Sequence, residues 1–341
     1  MHYKHFRTGD YMQVTVVIPN YNGLRFLKTC LDSLENQTSD EFEVLVVDNG
    51  SADDSVAYIE RNYPWVKILP LEENTGFCGG VNAGIQTATT PYVLLLNNDV
   101  EAAPDFVEQM CKAIQKSDKV FSVSSKMVQF YDRSKIDDAG DLYCMLGWAF
   151  QRGVGHKVNE SQYQKYSRVF SACGGASIYR RSVFEKIGYF DEIHFAYLED
   201  IDVGYRARIA GYENIYCPKA VVYHIGSGTT GSKYNHFKVK LSARNSFYLN
   251  YKNMPVGQLL LNAIPLAIGY GIKWAFFHKI GFGKAYLEGL REGICTRKQC
   301  RKVPFQKKNL GNYIQIELDM IVNTFVYTSE FIHRKCSHFW N

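Results

Sequence analysis

Several signals are missing from this 341-residue sequence, and each absence removes a class of function. Its nine cysteines include no C-x-x-C pair, which removes zinc-ribbon and thioredoxin-type chemistry. The opening residues MHYKHFRTGDYMQ contain no apolar h-region, so no secretory signal is expected and the thiols are expected to stay reduced in the cytoplasm. There is no internal repeat at solenoid periods, no low-complexity stretch and no compositional mark of disorder. The strand ends of the first 125 residues carry neither G-x-G-x-x-G nor G-x-x-x-x-G-K, which takes the main support from NAD-binding and ATP-hydrolysing readings.

What is present is an ordinary globular composition, 46% hydrophobic and 21% charged, in a chain long enough for one large domain or a domain with an appendage. Charge is unevenly distributed. Residues 233 to 308 hold fifteen lysines and arginines against two acids, a local +13, so the remainder carries −8 of the overall +5. A basic C-terminal third on an acidic body suits a polyanionic partner, with a membrane surface ahead of nucleic acid.

The first 125 residues alternate strand and helix patterns. QVTVVI (13–18), FEVLVVD (42–48), VKILPL (66–71) and YVLLL (92–96) read as strands. Helical spacing follows at 24–34, 53–63, in a glycine-rich segment, and from Pro104 to about Lys116. This rhythm predicts a parallel sheet with helices on both faces. Polar residues gather where strands end: Pro19-Asn20-Tyr21-Asn22, Asp48-Asn49-Gly50-Ser51 and Asn97-Asn98-Asp99. In open α/β sheets that rim binds ligands, although a single Asn-Asp turn equally well caps the next helix.

Residues 126–170 read as an insertion with hairpins. In the block that follows, Gly174-Gly175 either leaves room for a ligand or makes a tight turn. Leu198, Ile201, Tyr205 and Ile209 mark the buried face of a helix whose first turn carries Glu199 and Asp200, either as a helix-start pair or as reactive acids. Asp202 is expected to pair with Arg206 four residues on. VVYH ends a strand at His224, and the loop 226–232 has the composition of a lid.

These motifs occur in the order VVIPNYNG, VVDNGSADDS, NTGFCGGVNAG, LLLNNDV, YFDE–YLEDIDVGYR and VVYHIGSG. The sequence thereby resembles family 2 glycosyltransferases over residues 13 to about 250, and within them the bacterial rhamnosyltransferase-like branch. The resemblance implies a GT-A fold: a Rossmann-like, mostly parallel sheet flanked by helices, here with a helical C-terminal appendage. It divides the chain into a catalytic domain 1–250, with a nucleotide-sugar half (13–125) and an acceptor half (126–250), and a basic, membrane-associating region 251–341. It also implies an inverting sugar transfer dependent on Mg²⁺ or Mn²⁺, from a dTDP or UDP sugar to a glycan or polyprenyl-diphosphate-linked acceptor, at the inner membrane face.

Carried over by motif, Pro19, Tyr21 and Asn22 line the nucleotide pocket, and Asp48 accepts from a pyrimidine N3–H. Asn74, Gly76, Gly80 and Asn82 approach ribose and diphosphate, with Asn97 and Asn98 beside them. Asp99 and His224 hold the metal; Asp200, with Glu199 second, is the general base. Asn97 stands where the widest family pattern has the first acid of D-x-D. Rhamnose from dTDP-rhamnose is the first expectation, with UDP-hexose, galactofuranose or N-acetylhexosamine transfer and an inactive sugar-binding scaffold as alternatives.

Asn253 to Ile272 contains no charge. Its prolines, amides and glycines favour an interfacial or re-entrant helix over a packed helix or a true span. Lys273, Trp274, Phe276, Phe277 and Lys279 are expected to anchor on an anionic surface. Ile314, Leu318, Ile321, Val322 and Phe325 are expected to dock an amphipathic helix on its neighbour.

Overall fold

Strand β1 (Val14–Asn20) forms the centre of the nucleotide half because its side chains are apolar on both faces: Val16 and Ile18 pack to one side, Val17 to the other. It pairs in parallel with β2 (Phe42–Asn49) and β4 (Tyr92–Leu96), and β2 pairs in parallel with β3 (Lys67–Leu71). On one face lie α1 (Leu24–Glu35), α2 (Ser55–Asn62) and, after the short strand β5 (Val100–Ala102), α4 (Phe106–Ile114). On the other face lies α3 (Gly76–Thr87). The computed structural model describes residues 13–226 and 234–337.

After α4 the chain continues with β6 (Val120–Gln129). Next come β7 (Ile136–Asp138), the hairpin β8 (Asp141–Tyr143) and β9 (Ala149–Gln151), and β10 (Ser167–Val169). Then follow β11 (Ala176–Arg180), α5 (Arg181–Ile187), α6 (Glu199–Ile209) and β12 (Glu213–His224). The main sheet runs β10-β12-β6-β11-β4-β1-β2-β3, with β11 antiparallel between β4 and β6 and β12 parallel to β6. Gly174-Gly175 therefore leads into a strand, not a helix. The expected GT-A-type sheet with helices on both faces is present, and the expected hairpins fall in 126–170.

The C-terminal third is helical: α7 (His236–Asn253), α8 (Val256–Leu261), α9 (Ala263–Lys279), α10 (Gly283–Thr296) and α11 (Leu310–Ser337). The uncharged stretch is broken twice, at Pro255 and Asn262. Among the described residues, no helix is long and apolar enough to cross a membrane. One side of α9 is seated on the body. A Cβ at Gly269 would stand 2.0 Å from the Leu146 carbonyl oxygen, and the Trp148 indole N–H donates to the Gly269 carbonyl at 3.1 Å. Its other side leaves Ile264, Ile268 and Ile272 exposed.

Two expectations for this region need correcting. Helix α11 docks through Tyr313, Ile316 and Met320, while Ile314, Leu318, Val322 (57%) and Phe325 (73%) are exposed. The rotation follows from the neighbours, which offer polar partners. Asn312 donates to the Ile209 carbonyl and Asn323 to the Tyr143 carbonyl, and Glu317 accepts from Gln258 and Asn262. Burying that amide-bearing stripe satisfies four backbone or side-chain groups that an all-apolar face would orphan. Lys273 does not reach outward either. It turns its ammonium toward the Trp148 ring, 5.8 Å from the centroid, and burial lowers its pKa to about 8.

Candidate active site

The carboxyl ends of β1, β2 and β4 are joined by a chain of amides. Asn98 donates to Asn20 at 2.8 Å, Asn20 donates to Asp48 at 3.0 Å, and the second Asp48 oxygen accepts from the Ser51 backbone N–H at 3.1 Å. Above this floor opens a cleft of about 790 Å³. Its lining includes Pro19, Tyr21, Asn74, Gly76, Asn97, Asn98 and Asp99 from one half, and Gly174, Gly175, Glu199, Asp200 and His224 from the other.

Four of the residues expected here do not line it. Asp48 lies in the floor, engaged as above. Asn22, at φ +49°, accepts from the Ala52 N–H at 2.8 Å and ties two strand ends together. Gly80 packs under Asn49 and Pro19. Asn82 faces away, its amide spanning the Phe190 backbone and the Glu192 carboxylate, so it holds α3 to the chain before α6.

Asp99 and His224 meet because β5 pairs antiparallel with β12, setting His224 opposite Val100. The Ile225 N–H also donates to the Asp99 carbonyl at 3.0 Å. Their ligand atoms, Asp99 Oδ1 and His224 Nε2, stand 3.5 Å apart. Two ligands held about 2.1 Å from a small cation at right angles lie ~3 Å apart, so the pair fits one divalent ion. The other ring nitrogen, Nδ1, is 2.7 Å from Asp137, the carboxylate–histidine arrangement that orients a ligating imidazole. Burial alone would lower the His224 pKa, but the flanking Asp137 and Asp99 carboxylates carry it to about 10.

Glu199 and Asp200 open α6 after a strained turn. Phe195, Tyr197 and Leu198 have φ of 61°, 72° and 67°, a left-handed run that L-residues adopt only when the surroundings enforce it. Asn245 of α7 supplies part of that enforcement, its amide donating to the carbonyls of His194, Ala196 and Tyr197 at 2.8–2.9 Å. The turn is also joined to α3. The Cys78 N–H donates to the Phe195 carbonyl at 3.1 Å, and Gly76, at φ +75°, comes so near that a Cβ there would stand 2.5 Å from the same oxygen.

Asp200 accepts from the Ile201 N–H at 2.7 Å. Withdrawal from water raises its pKa, opposed by the Ile201 and Gly174 amides. Glu199 is buried with one carboxylate oxygen unpaired, and desolvation followed by the Asp200 charge pushes its pKa to about 8. Asp202 pairs with Arg206 as expected and is fully buried, with Lys252 and Asn253 as further partners. Of the lid-like loop, residues 227–232 lie outside the described residues. Asp137, Asp141, Phe195 and Asn245 were missed by sequence reasoning. The acid-rich run IDDAGD at 136–141 was the available signal for the first two.

The family model for glycosyl transferase family 2 matches residues 15–188. A Sinorhizobium fredii protein of unassigned role is 29% identical over 235 residues, covering 64% of this chain but only 25% of that protein. An N-acetylglucosaminyl-diphospho-decaprenol L-rhamnosyltransferase of Mycobacterium tuberculosis is 27% identical over 237 residues, covering 63% of this chain and 77% of that protein. Among solved structures, GalNAc-T7 with UDP, GalNAc and Mn²⁺ gives a TM-score of 0.57 at 17% identity, over 71% of this chain and 48% of that one. The mannosyltransferase PcManGT of Pyrobaculum calidifontis, with GDP-Man and Mn²⁺, gives 0.51 at 16%, over 90% and 84%.

Proposed function

The chain belongs to glycosyl transferase family 2, and from that premise we propose that it is a metal-dependent, inverting transferase. It moves a sugar from a nucleoside diphosphate donor to a hydroxyl of a glycan or polyprenyl-diphosphate-linked acceptor. The observation that carries this reading is the convergence in one cleft of an Asp99–His224 ligand pair and the Asp200 carboxylate.

Asp99 and His224 would hold Mg²⁺ or Mn²⁺. A cation there supplies Lewis-acid neutralisation of the departing diphosphate. Asp137 keeps His224 turned so that Nε2 faces Asp99. Asn74 and the close backbone at Gly76 border the donor, and Asp200 takes the proton of the attacking hydroxyl, a role worth about 10²–10⁴-fold. Inversion follows from one in-line displacement with no enzyme nucleophile.

Rhamnose from dTDP-rhamnose is the first donor to try, supported by the name of the mycobacterial relative. UDP-hexoses and UDP-galactofuranose follow. A lipid-linked acceptor accords with the local +13 charge and the exposed Ile264, Ile268, Leu318 and Val322, which together suit an anionic membrane surface at the cytoplasmic face. The test is nucleoside diphosphate release from a panel of dTDP- and UDP-sugars with Mn²⁺ and a membrane-lipid acceptor fraction, for wild type and Asp200→Asn. A variant that retains full turnover defeats the base assignment, and a wild type inert with every donor leaves the scaffold reading.

A further inference from the structure

Beneath the cleft, Asp138 and Asp141 are buried beside Glu199 and Asp200, both of which line it. Among the described residues none of the four is in an ion pair; the buried cations of this region, Arg206 and Lys252, are taken by Asp202 and Asp191. The Asp141 and Asp200 side chains lie within hydrogen-bonding reach of each other. An ionised carboxylate only accepts, so a hydrogen bond between two carboxyl groups contains one proton.

Local geometry says which group carries it. Asp200 accepts from the Ile201 backbone amide at 2.7 Å, and such a donor favours the charged form. Among the described residues no backbone amide donates to the Asp141 side chain. Instead it faces other acids: Asp138, whose second oxygen is unpaired, and Glu199.

The backbone fixes the pair in place. The Asp141 N–H donates to the Ser171 carbonyl at 3.1 Å, and the Ser171 hydroxyl donates to the Asp200 carbonyl. Helix α6 packs so tightly here that a Cβ at Gly204 would stand 2.6 Å from the Ser171 hydroxyl. Strand β8 and the start of α6 are thus pinned to one residue.

We propose that Asp141 is a positioning residue for Asp200. Its carboxyl carries the shared proton, donates it in a hydrogen bond to the Asp200 carboxylate, and keeps that carboxylate ionised and aimed into the cleft. The proposal rests on the reading of Asp200 as general base. In turnover the acceptor hydroxyl gives its proton to Asp200, its oxygen bonds to the anomeric carbon, and the bond to the diphosphate breaks; Asp141 keeps its own proton throughout. The other titratable groups facing the pair are Asp138 in β7, Glu199 on α6, Cys78 on α3, Cys173 in the approach to β11 and Tyr179 within it.

Two variants and one spectrum test this. Asp141→Asn keeps a donor and should leave the acid limb of the kcat/KM profile where it is. Asp141→Leu removes the donor, so that limb should move up by about one pH unit, a loss of about tenfold below it that is recovered at higher pH, with donor KM unchanged. The wild-type-minus-Asp141→Asn infrared difference spectrum at neutral pH should contain the carbonyl band of a protonated carboxylic acid. Only carboxylate bands, as an ionised pair or a bound cation would give, overturn the proposal. So does a loss in Asp141→Asn equal at every pH. If Asp141→Leu does not fold, the infrared band still decides. It is read without turnover, so it is independent of the Asp200→Asn result, which judges the base assignment itself.

Discussion

His224 presents Nε2 to Asp99 across 3.5 Å while Asp137 holds its Nδ1 at 2.7 Å. One ring thus links an acid at the end of the nucleotide half to an acid in the inserted segment. Asp99→Ala and His224→Ala are each expected to abolish Mn²⁺-dependent binding of nucleoside diphosphate, read by calorimetry. Asp137→Asn, which leaves both ligands in place, should weaken Mn²⁺ affinity by about 10–100-fold.

Asp202 anchors α6 to α7 without lining the cleft. Removing its charge leaves Arg206 without its acidic partner in the interior, while Lys252 keeps Asp191, so Asp202→Asn should cost about 3–5 kcal/mol in denaturant unfolding. Burial would raise the Asp202 pKa, but the two cations hold it far below the usual carboxylate range. A depressed folded-state pKa gives stability that is fully present above the unfolded value of about 3.9 and fades as pH falls toward the folded one. The gap between wild type and variant should therefore be constant near neutrality and narrow below about pH 4.

The left-handed turn at 195–198 predicts a separation of rate from stability. Asn245→Ala leaves three carbonyls without their amide donor and should destabilise by roughly 1–3 kcal/mol. Turnover should fall further than that loss accounts for, with donor affinity preserved, because Asp200 then sits on a looser turn. Steady-state kinetics at a temperature where both proteins are folded makes the comparison.

The part-buried Asn262–Glu317 hydrogen bonds tie the start of α9 to α11, with exposed Leu261 and Ile264 beside one partner and exposed Ile314 and Leu318 beside the other. Full-length protein should sediment with vesicles containing anionic lipid, more weakly as salt rises. The combined variant Ile264→Glu, Ile268→Glu, Leu318→Glu should lose at least about tenfold of that binding. Equal binding by both proteins would exclude this face.

The sheet was legible because its strands are short apolar runs stopped by polar turns, and β1, β2 and β4 sit within a residue or two of where period and turn chemistry put them. Motif order put Asp99, Asp200 and His224 together in advance, and all three line one cleft. Strand β11 was not read from the sequence, because five residues after a Gly-Gly turn become a strand only through the long-range partners β4 and β6, which no local pattern encodes. Asn82 looked like part of the glycine-rich ligand turn. Only the fold reveals that it points at the Phe190 backbone. The docking side of α11 was misjudged for a related reason. Hydrophobic spacing says which residues share a stripe, but the carbonyls and amides of Ile209, Tyr143, Gln258 and Asn262 decide which stripe turns inward.

The contact between Gly76 and Phe195 bears on how this protein could be recombined. Helix α3 and the turn that precedes Asp200 share a single carbonyl oxygen, at a separation that excludes even a methyl group. A chimera that transplants the first 125 residues from a relative with another donor would bring its own curvature to that point and displace Asp200 with it. Donor preference in this chain is thus expected to change by substitutions at the cleft surface, and exchange of whole segments is expected to yield folded proteins that bind sugar nucleotides and do not transfer them.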